Sequence, residues 1–432
     1  MRPVLRVFSL LSLVFIISCQ PAAETPPAEK QTAVPAVTPD NAEAVAALEA
    51  AGCLLTRNDA GLITEIAVSS DADFSATAAH LPGLKNIQIA RFGGPGMNDS
   101  ALAQIASLTT LRRLDLTDAS AVGDETLKVA GQLPSLEVLI LRRSGFTDAG
   151  LQHIQGLQKL RALDLRNTNT TDAGVELLQG LTSLVDLQLE KSKVTDAGIP
   201  FLRNLPLRSL NLNYNTAITD ASMEVIGQIA TLEQLQLEAV PITDAGLVHI
   251  GKLSKLRRLS CRLADITGAG VQHLTACTEL SRLELRETSI DDEALQIIST
   301  LPALRFLDVS ECKLISGEGI AQLGALTRLE YLELREVKKV RDECFAALAP
   351  LTELTELNIE ATRISAESVP VILGFRKLKT LNMAGSQLDS ADFVELGQLP
   401  ELKVLDLTNC EVTQETVDAL QAARPGLQIK GI

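Results

Sequence analysis

The sequence has no tryptophan and two tyrosines, and aromatic residues make up 3% of its 432 positions. A core without large rings has to be filled by aliphatic side chains, and 46% of the residues are hydrophobic. Basic residues are also in deficit, since 39 Lys and Arg face 54 Asp and Glu and give a net charge of −15. Nucleic-acid binding needs a clustered basic surface. This balance therefore argues against nucleic acid as a partner.

Motifs of catalysis are missing as well. The sequence contains no GxSxG, no Walker loop and no HExxH. His153, His249 and His273 occupy one position of a repeated helical pattern, without the further ligands that a zinc site requires. We therefore predict a protein that is not an enzyme and that holds no cofactor or metal.

The N-terminal segment carries a targeting signal. Two arginines precede the apolar residues 7–17, a run too short to span a bilayer. The run ends in Ile-Ile-Ser before Cys19, which resembles the lipobox of bacterial lipoproteins. The resemblance implies that residues 1–19 are a signal peptide, that Cys19 is lipidated, and that Gln20 after it favours the outer membrane of the cell envelope. An ordinary secretory signal is the alternative.

Composition divides the chain after this signal into three parts. Residues 20–40 contain five prolines and predict a disordered tether. Residues 41–82 predict an N-terminal cap that opens with a helix capped by Asp40 or Asn41. Residues 83–432 form a repeat array of about fourteen units.

The repeat unit has a spacing of 23–25 residues, clearest in residues 160–184, LRALDLRNTNTTDAGVELLQGLTSL. A first spacing of 27 residues is interpreted as a loop insertion at residues 93–96. The leading leucines are Leu84, Leu111, Leu136, Leu160, Leu184, Leu207, Leu232, Leu256, Leu280, Leu304, Leu329, Leu354, Leu378 and Leu402.

Each unit predicts a strand followed by a short helix. Leu163 and Leu165 are two apart and share one face of a strand. Thr171 can cap the helix and Asp172 suits its positive end. Successive units then give a parallel sheet through right-handed crossovers. Gly174 is predicted to have ordinary helical geometry and to allow close approach of a neighbour, because other repeats hold larger residues in that position.

The pattern LxxLxLxxT followed by TDAGLxxIxxL resembles the leucine-rich repeats, in the helix-bearing subgroup similar to ribonuclease-inhibitor and cysteine-containing types. The resemblance implies an α/β right-handed solenoid, or horseshoe, with a parallel β-sheet on the concave face and short helices on the convex face. It also implies that the concave sheet binds other macromolecules. Residues such as Thr168 and Cys312 replace the usual Asn after the strand, and their side chains can still bond the backbone of the turn.

Six cysteines remain after Cys19, and those in the repeats each replace a small or apolar residue of the pattern. We predict buried free thiols, although the expected compartment would permit disulfides. They are Cys53, Cys261, Cys277, Cys312, Cys344 and Cys410.

The residues that the repeat leaves free carry the information about a partner. Outward-facing positions between residues 258 and 335 combine arginine and tyrosine, which interfaces favour, with carboxylates and a second aromatic residue. This predicted binding patch consists of Arg258, Arg262, Arg282, Glu284, Arg286, Phe306, Tyr331, Glu333 and Arg335. The alternative is that cross-strand ion pairs, such as Glu284 with Arg258 or Arg262, only solubilise the sheet.

These features together predict a lipid-anchored, non-enzymatic recognition protein of the bacterial cell envelope that binds another protein on its concave sheet. The alternative is a carbohydrate or cell-wall binding protein, because the Asn, Gln, Asp and Tyr side chains of the sheet could meet sugar hydroxyls. The sequence leaves the oligomeric state and the identity of the partner open.

Overall fold

The computed structural model describes residues 38–431. The lipobox at Cys19 and nearly all of the predicted tether lie outside the described residues. All elements belong to the unit that begins at Pro39. None of the helices in the described part of the chain is long and apolar enough to cross a membrane.

Seventeen strands within residues 38–431 lie in chain order in one sheet. The first two are antiparallel, and every later neighbouring pair is parallel. The strands are β1 Leu54–Arg57, β2 Ile63–Ser69, β3 Ile89–Gly93, β4 Arg113–Asp115, β5 Val138–Ile140, β6 Ala162–Asp164, β7 Asp186–Gln188, β8 Ser209–Asn211, β9 Gln234–Gln236, β10 Arg258–Ser260, β11 Arg282–Glu284, β12 Phe306–Asp308, β13 Tyr331–Glu333, β14 Glu356–Asn358, β15 Thr380–Asn382, β16 Val404–Asp406 and β17 Gln428–Lys430.

Short helices connect the strands. The α-helices are α1 Ala42–Ala50, α2 Ser75–Ala78, α3 Asp99–Leu102, α4 Asp124–Ala130, α5 Asp148–Leu151, α6 Asp172–Glu176, α7 Asp220–Ile226, α8 Asp244–Ile250, α9 Gly268–Val271, α10 Asp292–Ile298, α11 Gly317–Gln322, α12 Asp342–Phe345, α13 Val369–Gly374, α14 Ser390–Glu395 and α15 Gln414–Ala423. Turns of 3-10 helix are Leu81–Gly83, Ala103–Ser107, Gln152–Ile154, Leu177–Gly180, Ile199–Leu202, Gln272–Ala276, Leu323–Ala325, Ala346–Leu348, Ala366–Ser368 and Leu396–Gln398.

The parallel-sheet solenoid predicted from the repeat is confirmed. From β4 to β16 the central leucine of each strand pairs with the central leucine of the next, as Leu259, Leu283, Leu307 and Leu332 do in β10–β13. These leucines are buried between the sheet and the helices, while the residues on either side of each project from the opposite, open face of the sheet. The core is therefore one continuous aliphatic layer, to which each repeat adds a slice.

The predicted start of the first repeat is wrong. In the structure β3 pairs Ala90 with Leu114, so the leading residue is Ile87 and not Leu84. Ile87 stands 24 residues before Leu111, which removes the need for a loop insertion at this spacing. Leu84 misleads because it is also buried and apolar, at the end of a 3-10 turn.

The segment predicted as an N-terminal cap begins with helix α1, and Asn41 caps this helix by accepting a 2.9 Å hydrogen bond from the backbone N–H of Ala44. The antiparallel hairpin β1–β2 follows. Its second strand pairs in parallel with β3, placing Ile66 beside Ala90. The parallel ladder thus extends one strand into residues 41–82.

The Thr-Asp pairs that start several of the repeat helices connect neighbouring repeats. Thr171 caps its own helix by accepting from Ala173, as predicted. Its backbone N–H and hydroxyl also donate, at 3.0 and 2.5 Å, to the carboxylate of Asp148 in the preceding repeat. We call this series of bonds the aspartate ladder. Its acids, each bonded to the next repeat, are Asp99, Asp124, Asp148, Asp172, Asp196, Asp220, Asp244, Asp292 and Asp342.

The ladder explains the glycine of the Thr-Asp-Ala-Gly motif. Gly174 has ordinary helical geometry, and a Cβ there would lie 2.2 Å from Oδ1 of Asp148. Where a ladder acid faces a position that is not glycine, that position holds a small donor, as in Ser222, whose hydroxyl donates to Asp196 at 2.5 Å. The expectation of a close neighbour is confirmed, and the neighbour is a carboxylate of the preceding repeat.

The repeats also share a strained turn that the sequence does not reveal. The third residue after the end of each strand from β4 to β16 has a positive φ, for example 55° at Asn167 and 60° at Glu311. The next side chain stabilises this turn, since the Thr168 hydroxyl donates to the carbonyl of Leu165 at 2.6 Å. Thr and Ser thus bond the turn backbone as predicted, whereas the Cys312 thiol donates to the carbonyl of Leu285 in the preceding repeat.

Candidate functional site

Strands β10–β13 bring the predicted patch residues together on the open face of the sheet. The register places Arg258 beside Arg282, Arg282 beside Phe306, and Phe306 beside Tyr331. A second row runs through Glu284, opposite Asp308. We call the nine binding residues predicted from the sequence the arginine–aromatic patch. The structure adds Asp308 and Glu311 to their contacts.

Glu284 is the centre of the basic part of the patch. It is 3% exposed, and its carboxylate meets Arg258 at 3.0 Å, Arg262 at 2.8 Å and Arg282 at 2.5 Å. Burial pushes the pKa of Glu284 up, but the Arg282 hydrogen bond and the three guanidinium charges outweigh it, so the pKa lies below its ordinary value. Arg262 also reaches Asp308 at 3.0 Å. Glu284 therefore stays ionised beneath a layer of guanidinium groups.

A second ion-pair group lies at the carboxyl ends of these strands. Arg286 donates to Glu311 at 2.9 Å, and Arg335 forms an ion pair with the same carboxylate. Arg335 also lies 3.3 Å from Glu336. The predicted cross-strand ion pairs are thus present. They account for much of the arginine in the patch, but not for its aromatic residues.

Phe306 and Tyr331 stack directly. Their ring centroids are 3.9 Å apart and their planes differ by 12°. The guanidinium of Arg282, on the strand on the other side of Phe306, lies 3.6 Å from the centroid of the Phe306 ring. This cation–π contact and the ring stack form a continuous column across three strands. The column fixes two large rings on the open face of the sheet, where nothing in the solenoid requires them.

Glu333 contacts the hydroxyl group of Tyr331. The Tyr331 hydroxyl donates to Oε2 of Glu333 at 2.8 Å, while the buried Oε1 has no hydrogen-bond partner among the described residues. Burial raises the pKa of Glu333 to about 7, and the charge of the opposite residue Asp308 adds to this, against the nearby Arg335. Glu333 consequently changes its charge near neutral pH.

Comparison with known proteins decides the family. The leucine-rich repeat region family matches residues 74–321 and 203–425, which together span most of the chain. The chain belongs to the leucine-rich repeat family. No curated protein matches it in sequence.

Three solved structures are similar to this chain to different degrees. A protein of Leptospira interrogans is 21% identical with a TM-score of 0.55, over 81% of this chain and 91% of that one. A chain of the Rad7 and Elc1 complex of yeast is 19% identical with a TM-score of 0.53, over 78% and 84%. A Listeria monocytogenes internalin is 18% identical with a TM-score of 0.47, over 86% and 96%. At these identities the first two likenesses show the fold.

The turns after the strands of this leucine-rich repeat protein hold two exposed large residues that the sequence reasoning missed. Tyr214 and Leu263 occupy the positive-φ position of their repeats and are 39% and 44% exposed, with Ala239 in the repeat between them. Most other repeats hold a charged residue or Asn there. The two residues break the polar pattern of this turn position, but the pattern can be recognised only once the position with positive φ is known.

The six cysteines behave as the repeat pattern predicts. All are free thiols, five are buried, and Cys410 is half-buried. Burial raises the pKa of Cys53 and of Cys277 to about 11. Among residues 38–431 no three potential ligands come close enough to hold a metal ion.

Proposed function

We propose that this leucine-rich repeat protein is a non-enzymatic recognition scaffold that binds a protein partner through the arginine–aromatic patch. The observation that carries the proposal is the column formed by Arg282, Phe306 and Tyr331. Packing of the solenoid does not require these rings, because its core lies on the other side of the sheet. Arginine and tyrosine are the side chains that dominate protein interfaces.

The patch also has the structure of a prepared surface. Its arginines are held by Glu284 and Glu311, so their side-chain entropy is already reduced before a partner arrives. Binding then costs less than it would for free side chains, because about 0.5–1.5 kcal/mol is lost for each flexible side chain that an interface immobilises. This argument favours recognition over solubilisation as the role of the ion pairs.

The test is capture of partners by the full chain, followed by a comparison with Phe306→Ala/Tyr331→Ala. We expect the double variant to lose the partners that the wild type retains after crosslinking. Val138→Ala/Ile140→Ala is the matched control, since both residues are half-buried and apolar on the same face, seven strands from β12 and roughly 34 Å away. Retention of every partner by the aromatic variant would refute the assignment of the site.

We further propose that Cys19 anchors the protein in the bacterial cell envelope, with the outer membrane favoured. The support is the lipobox-like sequence before Cys19. Two acyl chains would make the attachment stable where one is marginal. Cys19→Ala should move the protein from the membrane fraction to the soluble fraction, whereas Cys53→Ala should not. A membrane-bound Cys19→Ala variant would contradict the anchor.

Carbohydrate binding remains the alternative prediction. A sugar-binding platform usually offers an aromatic face, but Phe306 has Arg282 on one side and Tyr331 on the other. Binding of the full chain to a glycan array, lost in the aromatic variant, would favour a sugar over a protein as the ligand.

A further inference from the structure

Charge is distributed unevenly along the open face of the sheet. The open-face positions of β10–β13 and the residues that extend them hold five arginines and three carboxylates. The same positions in β6–β9 hold one arginine, Arg166, and four carboxylates, Asp164, Asp186, Glu190 and Glu238. A local excess of positive charge thus stands on a chain whose net charge is −15.

The excess is concentrated where the guanidinium groups crowd together. Arg258, Arg262 and Arg282 share two carboxylates, Glu284 and Asp308. Arg282 uses its Nε for this contact and Arg258 one terminal nitrogen, so terminal N–H groups of both remain for another acceptor.

The crowded guanidinium groups also repel one another. Burial lowers the pKa of Arg258, and the charges of Arg282 and Arg262 lower it further, against the opposing effect of Glu284. A carboxylate that reached these guanidinium groups would be attracted by all three. It would also find them already oriented, which favours the bidentate pairing typical of arginine.

We propose that the partner places an Asp or Glu side chain on Arg258, Arg262 and Arg282, and an apolar side chain on the Phe306–Tyr331 stack. This inference rests on the proposed function and names the chemistry of the ligand. It commits to a polypeptide, because the basic and aromatic parts of the patch are adjacent and one segment can present both kinds of side chain.

The spacing of the two parts sets the spacing of the ligand residues. The basic part is centred between β10 and β11 and the aromatic part between β12 and β13, two strands or roughly 10 Å away. A segment in the polyproline II conformation advances about 3.1 Å per residue and completes one turn in three residues, so residues three positions apart face the same side. A segment that crosses the strands should therefore carry its acidic and apolar residues three positions apart, in one order or the other.

The acidic character of the whole chain does not prevent this contact. At physiological ionic strength the Debye length is about 8 Å. The carboxylates of β6, β7 and β14–β16 lie three or more strands, roughly 15 Å, from the basic part of the patch and are largely screened there. The charges that a docking carboxylate senses there are those of the patch itself and of the neighbouring Glu238. High salt should weaken the contact for the same reason.

The experiment is an array of peptides of the form X-Gly-Gly-Z between neutral Ser-Gly flanks, with every amino acid at X and at Z, probed with the labelled full chain. We expect the strongest signals from peptides with Asp or Glu at one position and an aliphatic or aromatic residue at the other. A flat array, or a preference for Lys and Arg, would overturn the proposal.

Three variants separate the two contacts. Arg258→Gln/Arg262→Gln should remove the preference for acidic residues and keep the preference for apolar residues. Phe306→Ser/Tyr331→Ser should remove the preference for apolar residues and keep the preference for acidic residues. Arg142→Gln, on the same face beside β5, is the control that should change neither. The proposal is also wrong if both patch variants weaken all peptides equally.

Glu284→Gln gives a test that misfolding cannot imitate. The amide keeps the shape and an acceptor oxygen, but it removes the negative charge that competes with the ligand. We therefore expect this variant to bind acidic peptides several-fold more strongly, and unchanged or weaker binding would contradict the proposal. If partner capture still depends on Phe306 and Tyr331 while the array shows no acidic preference, the proposed function stands and only this inference fails.

Discussion

Replacing Gly174 by alanine tests whether the aspartate ladder holds neighbouring repeats together. The new Cβ would lie 2.2 Å from Oδ1 of Asp148, so the carboxylate has to move away from Thr171. Hydrogen bonds to a charged group contribute about 1.5–3 kcal/mol each, and Asp148 accepts two from Thr171. Because this carboxylate is half-exposed, we take about half of their sum, roughly 1.5–3 kcal/mol. Alanine gains about 1 kcal/mol of helix propensity over glycine, so we expect a net loss of about 0.5–2 kcal/mol in the free energy of unfolding.

Gly180→Ala in the same repeat is the matched control. The nearest atom to a Cβ at Gly180 is the carbonyl oxygen of Gln155 at 3.8 Å, an ordinary contact, so this variant should be neutral or slightly more stable. Urea unfolding followed by circular dichroism measures both variants. Hydrogen exchange at the amide of Thr171 gives a local reading and should become faster only in Gly174→Ala.

The chain itself supplies a compensating pair. In one repeat the ladder acid is replaced by Gly268, and the position that is glycine elsewhere is then Ala294. Asp148→Gly/Gly174→Ala copies that pair, so in this double variant the alanine should no longer cost stability. Additive losses in the double-mutant cycle, or equal stability of Gly174→Ala and Gly180→Ala, would refute the role of the ladder.

Two further predictions follow from single residues. The pKa of Glu333 is raised from 4.5 to about 7 in the folded chain. The folded state therefore binds more protons than the unfolded state between these pH values, and the free energy of unfolding should fall as pH rises through this window. Urea midpoints at acid and neutral pH should show this fall in the wild type, and Glu333→Gln should make the midpoint less dependent on pH. Leu263 adopts a φ of 61°, which costs a leucine about 1–2 kcal/mol. Leu263→Asn should therefore raise the urea midpoint, and Leu314→Asn, also exposed but without a positive φ, should not.

The scaffold is predictable from the sequence because it depends on spacing. The two leucines of the strand and the capping threonine of the helix recur at fixed intervals, and their roles follow from strand and helix geometry alone. The same reasoning fails at the first repeat, where hydrophobicity could not choose between Leu84 and Ile87. Only the pairing of Ala90 with Leu114 decides the register there.

The contacts between repeats were harder to predict from the sequence. That Asp148 bonds Thr171 could have been found, because each ladder acid is followed in the next repeat by glycine or a small donor. The strained turn gives almost no signal, since residues as different as Asn167, Leu263 and Glu311 occupy it. At the patch the pairing of Glu284 with arginine was predictable from the register. The position of Arg282 on the ring of Phe306 depends on side-chain conformation, which spacing does not encode.

The ladder and the patch are connected through the stability of the repeats. The ladder runs without a gap from Asp99 to Thr267, and the acid is then replaced at Gly268, Gly317, Ala366 and Ser390. The first two of these gaps fall between the repeats of β10 and β11 and between those of β12 and β13. A shallow depression lined by Gly317, Arg341 and Cys344 marks the second gap.

In the repeats of β10–β13, ion pairs on the open face of the sheet connect neighbouring repeats where the ladder does not. Arg262 joins its repeat to Glu284 and to Asp308, and Glu311 joins Arg286 to Arg335. Because the stability of a solenoid is a sum over neighbouring repeats, these ion pairs are the local substitute for the missing carboxylates. A variant of the patch arginines can therefore lose binding through opening of β10–β13. Hydrogen exchange of these strands has to be unchanged before lost binding is assigned to a lost contact.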